Sequence, residues 1–303
     1  MIKAVIWDMG GVIVRTADQS SRKALAKELG IDVPDGITGM HAHPLQAPLH
    51  EQVKKQVIPL VDIRAAGLNH FSWILSIKHR QTGEDLYPLF RQKFLELDPA
   101  FEPLTRRILE AFDLFPVPGD THLCEYLPWV TDPITKPWDK YSLRLYDWDL
   151  NAAVREFEHE RLHSMAIGEM TIDGLLETDS EGALEMIENI AAASTHYHLA
   201  ANLPNMGQIG NLPLDAIVET PVVVDGCGVH PVHMGNFPAP VAELLRREIT
   251  VAKLCVDSAV EGNRKKALQC LLLDPVITDI ETAQSVLDAY LLEYKEYLPQ
   301  FWM

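Results

Sequence analysis

The sequence predicts a mixed α/β fold, with one large domain following a short N-terminal β-loop-α unit. Three observations predict it. Residues 2–7 are an almost wholly apolar run that stops at Asp8 and the Gly10-Gly11 pair. A strand-rich stretch between His196 and Val224 is punctuated by Asn-Leu-Pro at 202–204 and again at 211–213. The chain beyond residue 238 carries three segments of helical periodicity.

Taken in order, residues 2–7 read as a buried strand, and Ser20 or Ser21 caps a helix running to about Leu29, with Gly30 as its C-cap. A turn-rich stretch from Val33 to Pro48 holds His41, His43 and three prolines, and supplies the only domain seam, dividing 1–35 from 36–303. From Leu49 the pattern gives a short helix, then one strand over about Ile63–Ile77 ending near Gln81-Thr82-Gly83. Helical patterns cover roughly 86–113, 148–165 and 178–194. The last helices span Pro238–Glu261, Asn263–Leu273 and Asp279–Leu298, each entered or left through Pro, Gly or Asp.

Composition excludes several function classes. A hydrophobic content of 47% with 23% charged residues is that of an ordinary soluble globular chain. The net charge of −17, from 26 Lys and Arg against 43 Asp and Glu, argues against a nucleic-acid backbone or an anionic membrane as partner, since both need a basic face. No window has the apolar length of a membrane span. The apolar N-terminus is interrupted by Asp8 and lacks a small-residue cleavage site, so it does not read as a signal peptide. Cys124, Cys227, Cys255 and Cys270 form no CxxC pair or disulfide framework, which points to a reducing cytoplasm.

Two stretches carry the chemistry. AGLNHFSWI (66–74) sets Asn69 and His70 inside an apolar run, and PVPGDTHLCEYLPW (116–129) crowds Asp120, His122, Glu125 and Tyr126 behind a Pro-Gly break. Polar and titratable groups in such settings cost several kcal/mol to desolvate unless something binds or pairs with them. The two stretches read as two walls of one site. His196 and His198 flank Tyr197 in a strand expected to be buried, and Cys227 and His230 lie in DGCGVHPV, where loop packing around Gly226 and Gly228 is the simpler account.

Those stretches, with GEDLYP (83–88), NLPNMGQIGNLPLDAIVETPVVVDGCGVHPV (202–232), AVEGNRKKALQCLLLDP (259–275) and LPQFW (298–302), resemble the catalytic part of glycoside hydrolase family 4 from about residue 36 onward. These are NAD- and manganese-dependent α-galactosidases, α-glucosidases, α-galacturonidases and 6-phosphoglycosidases. The resemblance implies a C-terminal domain like that of lactate and malate dehydrogenases. It also implies small α-glycoside substrates and a redox-elimination mechanism that departs from two-carboxylate hydrolysis. In it NAD oxidises the sugar at C3, a divalent metal polarises the new carbonyl, a base takes the C2 proton, and the glycosidic oxygen leaves.

Carried over residue by residue, His70 falls on the family's metal-ligating histidine, and Asn69 contacts sugar or supports the ligand. Asp120 is a candidate acid or base, His122 and Glu125 are candidate sugar contacts, and Tyr126 is a base if a metal or cation lowers its pKa. The family's second ligand, a cysteine, is replaced by His41 in GMHAH (39–43), with His43 as a further candidate. Imidazole is an acceptable ligand for manganese. Structural roles stay open for His70 in a strand turn and Tyr126 in a core.

Residues 2–14, IKAVIWDMGGVIV, resemble the first motif of the haloacid dehalogenase superfamily, with Asp8 as nucleophile and Gly10 where phosphatases carry a second Asp. No Gly-rich dinucleotide turn precedes the family 4 region, so NAD is expected from the family while its Rossmann domain is missing. The uncovered sheet edge predicts a homo-oligomer. Three functions follow: an NAD/manganese glycosidase, a non-catalytic sugar-binding or oligomerising remnant, and a dehalogenase-type hydrolase using Asp8.

Overall fold

The structure is a computed structural model of the 303-residue chain, and it describes residues 61–132, 134–143, 148–173 and 182–303. The β-loop-α unit, the seam near residue 36, Asp8, His41 and His43 lie outside the described residues. Those described fall into two compact units. One comprises 62–143, 199–222 and 231–303; in the other the described residues are Val61, 148–173, 182–198 and 223–230.

The elements begin with β1 (Val61–Leu68) and β2 (Phe71–His79), followed by α1 (Tyr87–Leu95), α2 (Pro103–Phe112), β3 (Phe115–Pro116) and the single-turn α3 (Asp120–Leu123). A 3-10 turn over Cys124–Tyr126 and the short α4 (Pro137–Lys140) come next, then α5 (Trp148–Ala166) and α6 (Ala183–Ala191). The chain continues through β4 (His196–Pro204), β5 (Ile217–Asp225), β6 (Gly228–Pro231), α7 (Ala239–Glu261), α8 (Arg264–Leu273) and α9 (Ile280–Glu293). One sheet runs in the order β3-β2-β1-β5-β4, with β6 paired to β5. β1 lies antiparallel to β5, with Gly67 opposite Glu219, and β2 antiparallel to β3, with Trp73 opposite Pro116.

The expected strand over 63–77 is in fact two strands. Asn69 and His70 form a two-residue turn, and His70 adopts the left-handed backbone (φ 63°) such a turn requires. Gly67 makes the return possible. A Cβ there would run into the Phe71 carbonyl oxygen and stand 2.8 Å from Ser72 Cα. The helix expected over 86–113 likewise splits, because Pro99 and Pro103 cannot continue α1.

Phe71, Ser72, Trp73 and Ile74 are consecutive in β2 and all buried, so this strand is covered on both faces. On one side α1 presents Tyr87, Phe90 and Phe94. The Tyr87 hydroxyl donates to the Ile74 carbonyl (2.9 Å) and accepts from the Phe115 amide (2.7 Å); burial pushes its pKa up to about 12, and the Phe115 hydrogen bond partly offsets the rise. Phe115 meets Phe90 and Phe94 edge-to-face, with centroids 5.0 and 4.9 Å away. Val241, Ala242 and Leu245 of α7 are fully buried, as are Val218 and Val222 of β5. A smaller core joins Leu287, Leu291 and Phe301, with Leu271 partly buried against it. No described helix is long and apolar enough to cross a membrane.

In the other unit the expected burial of the His196–His198 strand is not found. His196 and Tyr197 are exposed, and His198 is half-buried with its Nε2 3.0 Å from Asn189 Nδ2. The DGCGVHPV segment is a tight β5–β6 hairpin. Asp225 accepts from the Cys227 amide (2.7 Å) and pairs with His230 (3.0 Å), as loop packing requires.

Candidate functional site

All of the described candidate residues lie in the unit containing β1 and β2. The β1–β2 turn places Asn69 and His70 at the surface, directly after a buried backbone. Beneath it, the Ser72 hydroxyl donates to Glu219 Oε1 of β5 (2.5 Å) and lies 3.2 Å from the Leu68 carbonyl, tying both sides of the turn to the neighbouring strand. Burial raises the Glu219 pKa, and the Ser72 hydrogen bond partly offsets it.

The second wall is built on a helix start. α2 begins with Glu102 in a left-handed conformation (φ 48°) and Pro103, and its own N-cap side chain supplies no hydrogen bond. Asp120 supplies it from α3: its Oδ2 accepts from the Leu104 amide and its Oδ1 from the Thr105 amide, each at 2.7 Å. The Asp120 amide in turn donates to Glu102 Oε2 (2.5 Å). Asp120 is buried at 7% exposure, so a carboxylate committed to two orphan helix amides replaces water there. Desolvation, and then the negative charge of Asp120, push the Glu102 pKa to about 8.

From this anchored start, α3 and the following 3-10 turn carry His122, Glu125 and Tyr126 back to the β1–β2 turn. The His122 ring meets the His70 ring edge-on, with centroids 5.2 Å apart. Tyr126 stacks on Phe71 at 4.6 Å with an interplanar angle of 9°. His122 Nδ1 lies 3.3 Å from Glu125 Oε2. The structure therefore gathers His70, His122, Glu125 and Tyr126 on one face, with Asn69 in the turn beside His70. The Asp120 carboxylate is directed to α2 instead.

Electrostatics on this face are acidic. Burial, then Glu125, then Glu248 of α7 push the Tyr126 pKa to about 12, so the phenol keeps its proton at neutral pH. Burial, Asp274 and, in the opposite sense, Arg247 set Glu248 at about 7. Three carboxyl groups here escape a reading of the sequence alone: Glu102, Glu219 and Glu248. Glu219 leaves a signal, a charged residue within the apolar strand IVETPVVVD. Glu102 and Glu248 leave none, since Glu102 sits at a Phe-Glu-Pro turn and Glu248 follows two arginines, so both resemble solvated positions.

Among the described residues no three His, Cys, Asp or Glu groups converge closely enough to hold a metal ion. His70 and His122 offer imidazole nitrogens and Glu125 a carboxylate, donor types that suit manganese. A site at His70 thus needs a donor from elsewhere in the chain, and His41 lies outside the described residues.

Residues 65–277 match the family 4 glycosyl hydrolase C-terminal domain. Among curated proteins the chain is similar to an alpha-galacturonidase of Lachnoclostridium phytofermentans, 26% identical over 80% of this chain and 55% of that one. It is also similar to an alpha-galactosidase of Rhizobium meliloti, 26% identical over 80% and 51%, and to a phospho-alpha-glucosidase of Clostridium acetobutylicum, 27% identical over 76% and 55%. Among solved structures it superposes on the 6-phospho-beta glucosidase of Thermotoga maritima with manganese, NAD+ and glucose-6-phosphate (TM-score 0.64, 23% identity, 86% of this chain and 60% of that one). The fold is shared with that enzyme, and the chain spans a little over half the length of the curated relatives it matches. With the matched domain covering most of its length, this chain belongs to family 4 of the glycosyl hydrolases.

Proposed function

We propose that the chain provides the metal- and sugar-facing part of a glycoside hydrolase that works by NAD- and manganese-dependent redox elimination on small, non-phosphorylated α-glycosides. The observation that carries this reading is the convergence of the β1–β2 turn with α3: His70 on His122, and Phe71 on Tyr126. His70 is the proposed metal ligand, completed by His41. A divalent ion held there supplies Lewis-acid stabilisation of negative charge on the sugar oxygens.

The remaining residues have roles their surroundings support. Asn69 and His122 are assigned to hydrogen bonds with sugar hydroxyls, and Glu125 to holding the His122 ring, which the 3.3 Å contact supports. Tyr126 holds its phenolic proton and a stacking face toward the site, and it becomes a base only beside a cation strong enough to offset burial and Glu125. Asp120 acts by holding the start of α2, and with it the position of His122, rather than by transferring a proton. The hydride-accepting NAD is a family expectation whose binding fold this sequence does not display as a Gly-rich turn.

A second reading, sugar binding without turnover, is supported by the Asp120 carboxylate being held by the Leu104 and Thr105 amides and by the Tyr126 phenol keeping its proton. One experiment separates the two. Hydrolysis of an aryl α-galactoside and an aryl α-galacturonide is measured with and without added NAD and Mn2+, alongside calorimetric titration with Mn2+. Turnover requiring both additions and lost in His70→Ala supports the enzyme; metal or sugar binding with no turnover supports the second reading. Mn2+ binding unchanged in His70→Ala overturns the ligand assignment in either case.

A further inference from the structure

α7 and α8 pack more extensively than any other pair of described elements. They are joined by only Gly262 and Asn263. Gly262 closes α7 in the left-handed conformation (φ 66°), and the Asn263 side chain caps α8 by accepting from the Lys265 and Lys266 amides (3.1 and 3.2 Å). Cys255 lies seven residues before Gly262, and Cys270 seven residues after Asn263. With a rise of about 1.5 Å per residue, the two cysteines stand at the same height, roughly 10 Å above the connection.

The side chains meet there. The Cys270 thiol donates to the Val251 carbonyl at 3.3 Å, and Val251 is one helical turn before Cys255, on the same stripe of α7. The Cys255 side chain is near enough to the Cys270 thiol to raise its pKa. Cys255 is exposed, and Cys270 is half-buried behind it. Neither residue belongs to the face formed by His70, His122 and Tyr126.

We propose that Cys255 and Cys270 are an oxidisable pair, which a small-molecule disulfide such as oxidised glutathione converts into a bond stapling α7 to α8. The exposed Cys255 thiolate attacks one sulfur of the small disulfide. The S–S bond breaks, one glutathione thiolate leaves and takes up a proton, and Cys255 carries a mixed disulfide. Cys270 loses its proton and attacks the Cys255 sulfur, expelling the second glutathione. Two protein thiols are oxidised, and one disulfide is reduced to two thiols. Burial, and next the neighbouring Cys255, hold the Cys270 thiol up at about 11. Capping Cys255 removes that opposing charge at the step where Cys270 must ionise.

The test is incubation of the full chain with oxidised glutathione, followed by non-reducing digestion and mass spectrometry. The expected result is a Cys255–Cys270 cross-linked peptide that has lost two hydrogens, together with a higher thermal midpoint that dithiothreitol reverses. Cys270→Ser is expected to accumulate the mixed disulfide at Cys255, and Cys255→Ser to leave Cys270 unmodified. Wild-type chain that carries glutathione at Cys255 without the cross-link, or that pairs either thiol with Cys124 or Cys227, overturns the proposal. Mapping of the wild type decides the matter even if a serine variant fails to fold.

Discussion

Replacing Asp120 with asparagine separates a helix anchor from a chemical group. In the folded chain the carboxylate accepts two amide hydrogen bonds of 2.7 Å at the start of α2, where Leu104 and Thr105 are buried with it. Asparagine keeps the shape but offers one acceptor oxygen, and its amino group faces the other backbone donor. One charge-assisted bond is weakened and one buried amide is left unpaired. Each effect costs about 1–3 kcal/mol, reduced by the relief of repulsion on Glu102. A net loss of about 3 kcal/mol corresponds to a fall in Tm of roughly 5 °C for a chain of this size. Differential scanning fluorimetry and urea unfolding at neutral pH measure it directly. If the variant melts within about 1 °C of the parent yet loses all turnover, the carboxylate acts on substrate and the anchor account is wrong.

The remaining expectations concern pH, the turn and the metal. Glu102 has a folded pKa of about 8, above its ordinary 4.5. Its contribution to stability is therefore complete below about pH 4.5 and is lost as the pH rises through 8. Glu102→Gln is expected to flatten that decline in urea unfolding between pH 5 and 8, and an unchanged slope refutes the assignment. Gly67→Ala puts a methyl group against the Phe71 carbonyl at a positive φ, so a loss of about 2–4 kcal/mol is expected by denaturation, and a loss under about 0.5 kcal/mol contradicts the turn geometry. His70→Ala is expected to weaken Mn2+ binding at least about tenfold by calorimetry, while leaving the stacked Phe71–Tyr126 pair and the fold intact by circular dichroism.

The sequence by itself determined where the helices beyond residue 238 begin, because Pro238, Asn263 and Asp279 start them and Gly262 ends the first through backbone chemistry that acts locally, although α9 stops at Glu293, short of the expected Leu298. It also marked the two stretches that meet in the fold, since AGLNHFSWI and GDTHLCEYLPW set polar groups within apolar runs. The hairpin was hidden because the residues on either side of it, Ala65–Gly67 and Phe71–Ile74, are buried and nearly all apolar, so Asn69-His70 read as polar positions inside one strand. Only the tertiary structure decided which titratable groups face one another. That the Asp120 carboxylate turns to the amides of Leu104 and Thr105 while His122, two residues on, meets His70 depends on contacts 15, 16 and 52 residues apart in the chain, and no local pattern encodes them. The shifts of Glu102, Glu219 and Glu248 share this origin, because desolvation belongs to the packed environment and not to the residue.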